Sequence, residues 1–262
     1  MTRIAVFGLG EAGSVLAADL VAAGAQVHGY DPAGVATPAG VVRHPGPVPA
    51  VEAATLVLGV TAAEDAPVAL GQALDAIPAS AVYADLATAA AGLKEKLALA
   101  AAERDLRFAD VALMAPVTGT GLATPALASG PGATRVAEIL NGLGGRVEAI
   151  GGPAGAAATR KLLRSVFMKG LAAVVIEAME AGRAAGADRW LWSNLAEQIA
   201  VADEDLLRRL VRGTGPHARR RLHEMEASAA LLEELGVDPL MTRSTVESLR
   251  RILAHGLPDL PD

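Results

Sequence analysis

The chain has 262 residues, of which 52% are hydrophobic, 20% charged and only 3% aromatic, so it can bury a core of Ala, Val and Leu, and wholesale disorder is excluded. Cysteine is absent, which rules out disulfides, thiolate zinc sites and a cysteine nucleophile. The net charge of −6 and a pI near 5.4 argue against nucleic acid as a partner.

The N-terminus enters a strand-like run at once, without a signal-peptide layout, and no apolar stretch reaches the ~20 residues a bilayer requires. A cytoplasmic protein with no membrane partner is the expectation. Residues 3–7 form a short apolar run bounded by Gly8 and read as a strand. Residues 11–23 read as a helix closed by Gly24, a good residue for the left-handed cap. A second strand fits 26–30, and further buried strands fit 55–60, 81–84 and 108–113. Helices at 64–74 and 90–104 separate them, and 146–150 closes the sheet. This alternation is the signature of a parallel sheet wrapped by helices, so the predicted fold class is α/β, a doubly wound parallel sheet. Gly151-Gly152-Pro153 breaks the pattern, and the remainder of the chain reads as helical: 154–185, 190–201, 204–211, 216–235 and 242–255, with a frayed tail at 257–262. Charge shifts at the same place: residues 1–150 carry 8 basic and 14 acidic side chains, residues 151–262 carry 15 of each. Two domains, 1–150 and 151–262, are expected.

Gly8-Leu9-Gly10-Glu11-Ala12-Gly13 has the form G-x-G-x-x-G between the first predicted strand and the first predicted helix. Gly8 permits the tight turn, Gly10 lets backbone N–H groups approach a pyrophosphate, and Gly13 lets helix and strand pack closely. The helix N-terminus adds positive partial charge toward the phosphates. In a chain with 28 glycines the spacing alone is weak, and its place at the head of a βαβ unit strengthens it. Asp31 closes the second strand about 20 residues on, where a carboxylate accepts hydrogen bonds from ribose hydroxyls and repels a 2′-phosphate. Read alone, Asp31 is also an ordinary turn residue before Pro32. The pattern points to a dinucleotide, NAD in preference to NADP; Arg43 and His44 lie too far along the chain to be assigned to a 2′-phosphate.

Four stretches, in order, resemble the β-hydroxyacid dehydrogenase and 6-phosphogluconate dehydrogenase-like superfamily. The glycine loop resembles its cofactor loop. Ala115-Pro116-Val117-Thr118-Gly119 is similar to its substrate-binding segment, usually Asp-Ala-Pro-Val-Ser-Gly. That resemblance implies substrate contacts from Pro116, Val117, Thr118 and Gly119, with Thr118 in place of the serine that binds the substrate's acid group. Gly151-Gly152-Pro153-Ala154-Gly155 followed by Lys161 is similar to the approach to the catalytic lysine helix. His223-Glu224-Met225 ahead of Leu235-Gly236 falls where relatives carry Lys-Asp-Leu and matches only roughly, so no role is carried over there. Residues 121–125 and 164–170 resemble a branch that joins a Rossmann-type cofactor domain to a C-terminal helical domain of unknown function.

Relatives usually carry Asn four residues after the lysine; here the residue is Ser165. On a helix Lys161, Ser165 and Lys169 fall on one face at i, i+4 and i+8. An isolated lysine ordinarily belongs to a solvated face. Its position in the superfamily implies that Lys161 is catalytic, with Ser165 holding the same substrate oxygen or the ammonium. Lys169 is then an anion-binding group for the substrate or half of a structural pair. The implied reaction is hydride transfer between nicotinamide C4 and a carbinol or carbonyl carbon, with Lys161 as general acid and base. A free lysine near pKa 10.4 is a poor base at neutral pH. Burial against the nicotinamide, with Arg160 and Arg164 nearby, is expected to bring it toward roughly 7–8.

Thr61 and Ala62 follow the strand at 55–60, and Asp85-Leu86-Ala87-Thr88 follows the strand at 81–84. Both fall at strand C-terminal ends, the edge where open parallel sheets bind ligands. Thr61, Ala62 and Thr88 are expected at the nicotinamide half, while Asp85 fits a helix cap equally well. Arg219-Arg220-Arg221 binds an anion or forms a solvated face. The five histidines show no metal spacing, and no G-x-S-x-G elbow occurs. Trp190 and Trp192 suit core or interface packing. The resemblance implies an NAD(P)-dependent oxidoreductase of a small, anionic hydroxy compound, with its active site between the domains and a homodimer formed through the helical domain. The rivals are reduction of a C=N bond, in relatives that usually lack the lysine, a non-catalytic dinucleotide sensor, and oxidative decarboxylation, which needs more substrate-binding residues than the motifs locate.

Overall fold

The computed structural model describes residues 2–260; Met1, Pro261 and Asp262 lie outside it, and with them the end of the expected tail. The run Ile4-Ala5-Val6-Phe7 is apolar at consecutive positions, which suits a strand covered on both faces. It forms β1 (Arg3–Phe7), buried along those four residues. On one side β1 pairs with β2 (Gln26–Tyr30), itself flanked by the two-residue β3 (Val42–Arg43), and on the other with β4 (Leu56–Gly59). β5 (Val82–Asp85), β6 (Arg107–Leu113), β7 (Pro125–Ser129) and β8 (Arg146–Ala149) complete the order β3-β2-β1-β4-β5-β6-β7-β8. β1 and β4 run parallel, but the order in which strands are added to the sheet reverses between them, and that is where a doubly wound sheet opens a crevice at its carboxyl edge.

Helices α1 (Glu11–Ala22), α2 (Pro47–Val51), α3 (Ala66–Ala73), α4 (Ala91–Ala102) and α5 (Ala133–Asn141) connect the strands. Alternate strand residues feed two separate cores. Ile4, Val6 and Leu58 join Leu16 and Leu20 of α1 and Val136 of α5, whereas Ala5, Phe7 and Val57 join Leu70 of α3 and Leu97 of α4. Each buried Leu or Phe contributes roughly 1.5–3 kcal/mol by leaving water. The expected Rossmann-type sheet is therefore present, with one departure: β6 and β7 run antiparallel. The connector at 114–124 holds only a 3-10 turn, Gly121–Ala123, whereas a parallel crossover needs about a dozen residues and usually a helix. The short elements β3, α2, β7 and α5 were not expected from the sequence. β3 is two residues long, and β7 opens on proline and has no β-branched residue, so neither has a strand signature.

α6 (Ala156–Ala184) has 29 residues, roughly 43 Å at 1.5 Å per residue. Residues up to Arg164 belong to one compact unit and those from Ser165 to a second. The second unit contains the remainder of α6 with α7 (Asp188–Ala200), α8 (Glu204–Arg212), α9 (Thr214–Glu234) and α10 (Leu240–His255), and is all-helical. Buried Glu177 of α6 caps α10: it accepts from the Met241 N–H at 2.6 Å, the Thr242 N–H at 2.9 Å and the Thr242 hydroxyl at 2.6 Å. Burial raises the Glu177 carboxyl, but these hydrogen bonds outweigh it and hold the group below the usual carboxylate range. No described helix is long and apolar enough to cross a membrane.

Candidate functional site

The glycine turn between β1 and α1 is shaped by what its residues exclude. Gly8 has φ +89°, and a Cβ there would lie 2.1 Å from the Val60 carbonyl oxygen; a Cβ on Gly13 would lie 1.9 Å from the Gly8 carbonyl oxygen. Both positions demand glycine because strand β1, the end of β4 and α1 approach one another at van der Waals limits. Gly10 differs, since a Cβ there would meet nothing within 4 Å. Its missing side chain leaves open space at the N-terminus of α1, where the first N–H groups have no intrahelical partner.

Leu9 is buried, and its N–H donates to Asp31 Oδ2 at 2.7 Å, while Asp31 Oδ1 accepts from the Ala33 N–H at 2.8 Å. Asp31 thus locks the glycine turn to the end of β2 and also shapes the turn before Pro32. Two lone pairs per carboxylate oxygen leave it capacity for further donors. A cavity of about 360 Å³ opens here, lined by Gly8, Gly10, Asp31, Thr61, Ala62 and Asp65 among others. Two carboxylates and no cationic side chain line it among the described residues. Helix-terminal N–H groups, a glycine without obstruction and an acid at the end of β2 fit a dinucleotide's pyrophosphate and ribose.

Arg43, unassigned in the sequence, reaches this region because β3 lies beside β2. Its guanidinium donates to the carbonyls of Asp31 at 2.9 Å and Ala33 at 2.6 Å, to the Val35 carbonyl, and to the Thr37 hydroxyl at 3.3 Å. The loop at 31–37 is tied from behind by one side chain.

Thr88 does not line that cavity. It follows β5, and its hydroxyl accepts from Lys161 Nζ at 2.8 Å. Lys161 is half-buried in the second turn of α6, within the same compact unit as the sheet. Behind this pair lies a charged network with no solvent exposure. Lys94 of α4 donates to Asp85 Oδ2 at 2.6 Å and to the Asp85 carbonyl at 3.1 Å, and stands 3.1 Å from Asp110 Oδ1. Burial pushes the Asp85 carboxyl up; the Lys94 charge and hydrogen bond and the Ala87 N–H oppose the rise, and the Asp110 charge adds to it. Burial, with the Asp85 charge, also raises the neighbouring Tyr83 phenol. Asp110 Oδ2 in turn accepts from the Ala158 N–H at 2.8 Å and the Gly155 N–H at 3.1 Å, at the start of α6.

The substrate-segment candidates occupy the connector after β6. Val117 is buried and its carbonyl accepts from Gly121 at 2.7 Å; the Pro116 carbonyl accepts from the Thr120 hydroxyl at 3.0 Å; Gly119 has φ +86°. Thr118 Oγ1 donates to Glu11 Oε1 at 3.4 Å, a long contact that links this segment to the cofactor-loop helix, one residue before Ala12. Ser165 and Lys169 follow Lys161 on α6 by one and two turns and belong to the second unit. Sequence reasoning missed Arg43, Asp65, Lys94, Asp110 and Ser129. A signal existed for Lys94, which shares the buried stripe of Leu97 and Ala101 at helical spacing, where an unpaired charge does not belong.

The pattern described as the NAD binding domain of 6-phosphogluconate dehydrogenase matches residues 3–151, more than half of the chain, and a domain of unknown function (DUF1932) matches residues 183–252. A Methanothermus fervidus protein called "Uncharacterized 28.5 kDa protein in 7S RNA 5'region" is 30% identical over 126 residues, 48% of this chain; the match spans about half (50%) of that relative's length. A conserved hypothetical protein from Sinorhizobium meliloti 1021 is 29% identical, with TM-score 0.62 over 97% of this chain and 89% of that one. An imine reductase from Myxococcus stipitatus in complex with NADP+ has TM-score 0.82 over 97% of this chain and 95% of that one, at 17% identity, a likeness of fold. With the glycine turn, Asp31 and the cavity between them in place, the chain belongs to the family of the NAD binding domain of 6-phosphogluconate dehydrogenase, and its first unit binds a nicotinamide dinucleotide.

Proposed function

We propose that the chain is an NAD(P)-dependent oxidoreductase acting on a small, anionic hydroxy compound, a 3-hydroxy acid or sugar acid, with Lys161 as general acid and base. The observation that carries this reading is the 2.8 Å hydrogen bond from Lys161 Nζ to Thr88 at the carboxyl end of β5. It holds an ammonium at the sheet edge where this fold binds its ligands. The bound dinucleotide supplies or accepts the hydride. The N-terminal N–H groups of α1 bind its pyrophosphate and Asp31 its ribose, and the cavity beside Asp31, lined by no cation among the described residues, favours NAD over NADP. Lys161 holds a proton at the substrate oxygen, releasing it as a carbonyl is reduced and recovering it as an alcohol is oxidised. Thr88 aims the ammonium and Thr118 binds the acid group, with Ser165 and Lys169 as further candidates along α6.

A second copy of the chain completes the helical unit in this reading. α6 exposes Val166, Phe167, Leu171, Val174 and Ile176, and α7 exposes Trp190 and Trp192. Large apolar side chains left exposed on two successive helices support an interface in this reading. Sedimentation should show a dimer, and Phe167→Glu should weaken it.

Reduction of a C=N bond is the second reading, favoured by the fold likeness to the Myxococcus imine reductase. A protonated imine already carries its proton, so Lys161 would be dispensable there. A panel of hydroxy acids, sugar acids and cyclic imines, followed by NAD(P)H absorbance, separates the two. Lys161→Ala should cut alcohol turnover by roughly 10²–10⁴ and leave cofactor affinity unchanged. Imine turnover that survives the substitution would replace the first reading with the second; no turnover with any compound would favour a sensor.

A further inference from the structure

We propose that the buried Asp85–Lys94–Asp110 network is the positioning device for Lys161, with Ser129 as its fourth member; this deepens the reading of Lys161 as proton carrier and rests on it. All four side chains are fully buried. Asp110 accepts from the N–H groups of Gly155 and Ala158, and Ser129 Oγ accepts from the Ala157 N–H at 3.0 Å while its hydroxyl lies 3.4 Å from Asp110 Oδ2. Between them these two residues satisfy the otherwise unpaired N–H groups that begin α6. Lys161 stands one turn further along the same helix.

The other half of the pair hangs from the same network. Thr88 lies three residues beyond Asp85, and Asp85 is gripped by Lys94 through both its carboxylate and its carbonyl. The network therefore sets the separation of Lys161 from Thr88 at both ends, and Thr88, Asp110, Ala158 and Lys161 line one small crevice. A carboxylate held dry at a helix start needs a compensating cation, and Lys94 supplies it. Stability alone does not account for the arrangement, because well-packed apolar residues in place of buried ion sets are often neutral or stabilising.

The chain has four lysines, Lys94, Lys96, Lys161 and Lys169, so side-chain ammonium signals of isotope-labelled lysine can be resolved and assigned by Lys→Arg substitution. Ser129→Ala and Asp110→Asn are the test variants, compared with wild type in the NADH-bound chain of 262 residues. The expected result is a displaced or broadened Lys161 signal beside an unmoved Lys169 signal. With a substrate found in the panel, kcat should fall by about tenfold or more, as small misplacements of catalytic groups do, with KM and the NADH dissociation constant little changed. A folded variant with wild-type Lys161 signal and wild-type kcat overturns the proposal. If Asp110→Asn does not fold, Ser129→Ala decides by the same readouts. Turnover that survives Lys161→Ala would instead remove the functional reading, while the Lys161 signal still reports whether the network positions that side chain.

Discussion

Arg43 donates to the backbone carbonyl of Asp31 at 2.9 Å, twelve residues away in the chain, and so holds the acid of the cofactor cavity from behind. The guanidinium is spent on carbonyl groups, and the carboxylate faces the cavity. If Asp31 repels a 2′-phosphate as proposed, Asp31→Asn should shift the NADH-to-NADPH affinity ratio toward NADPH by about tenfold, the loss of roughly 1.4 kcal/mol of repulsion. Arg43→Ala should loosen the loop and weaken NADH without improving NADPH. Fluorescence titration with both reduced cofactors measures each; a selective loss of NADPH in Arg43→Ala would place that guanidinium on the 2′-phosphate instead.

Gly10 and Gly13 should respond oppositely to a side chain. Gly10→Val has open space and ordinary extended backbone (φ −66°, ψ −160°), so the protein should melt near the wild-type temperature. Its cofactor affinity should fall by about tenfold or more, because the valine occupies the pyrophosphate's place. Gly13→Ala should lower the melting temperature, since its methyl would sit 1.9 Å from the Gly8 carbonyl oxygen. Calorimetry with and without NADH separates the two effects.

Lys94→Met strips the only compensating cation described between Asp85 and Asp110. Leaving buried carboxylates unpaired should cost about 3–5 kcal/mol of unfolding free energy. Urea denaturation monitored by circular dichroism checks this. A variant as stable as wild type would mean that the pocket takes up a proton or water at no cost.

His28 and His44 meet at 2.8 Å between Nδ1 and Nε2 with their rings stacked, so only one of those two nitrogens carries a hydrogen. Burial first, then the charges of Arg3 and His44, hold the His28 imidazole below its ordinary value of 6.5. The unfolded chain therefore binds the proton more readily than the folded one. Stability contributed by this site is present above about pH 6.5 and is lost as pH falls through that value toward the folded one. Melting curves between pH 7.5 and pH 5 should show a downward slope that His28→Gln reduces.

Strand β1, α1, β2 and the glycine turn were legible because local chemistry specifies them: an apolar run, a glycine spacing and an acid at a strand end. The long α6 was legible from its uninterrupted helical composition. β7 was not, because Pro125-Ala126-Leu127-Ala128-Ser129 becomes a strand only by pairing with β6. The place of Thr88 after a strand was legible in the sequence, but its hydrogen-bond partner was not, since Lys161 is 73 residues away.

Composition and motif spacing determined the α/β class and the cofactor turn, since each rests on residues adjacent in the chain, whereas Lys161 became a candidate only through the resemblance to the superfamily. Tertiary structure decided which side chains stand behind them. Arg43 reaches the 31–37 loop through the β2–β3 pairing, and Asp110 meets the N–H groups of α6 across 48 residues. Such contacts depend on where strand ends and helix starts converge, and burial then forces every charge in that convergence to find a partner.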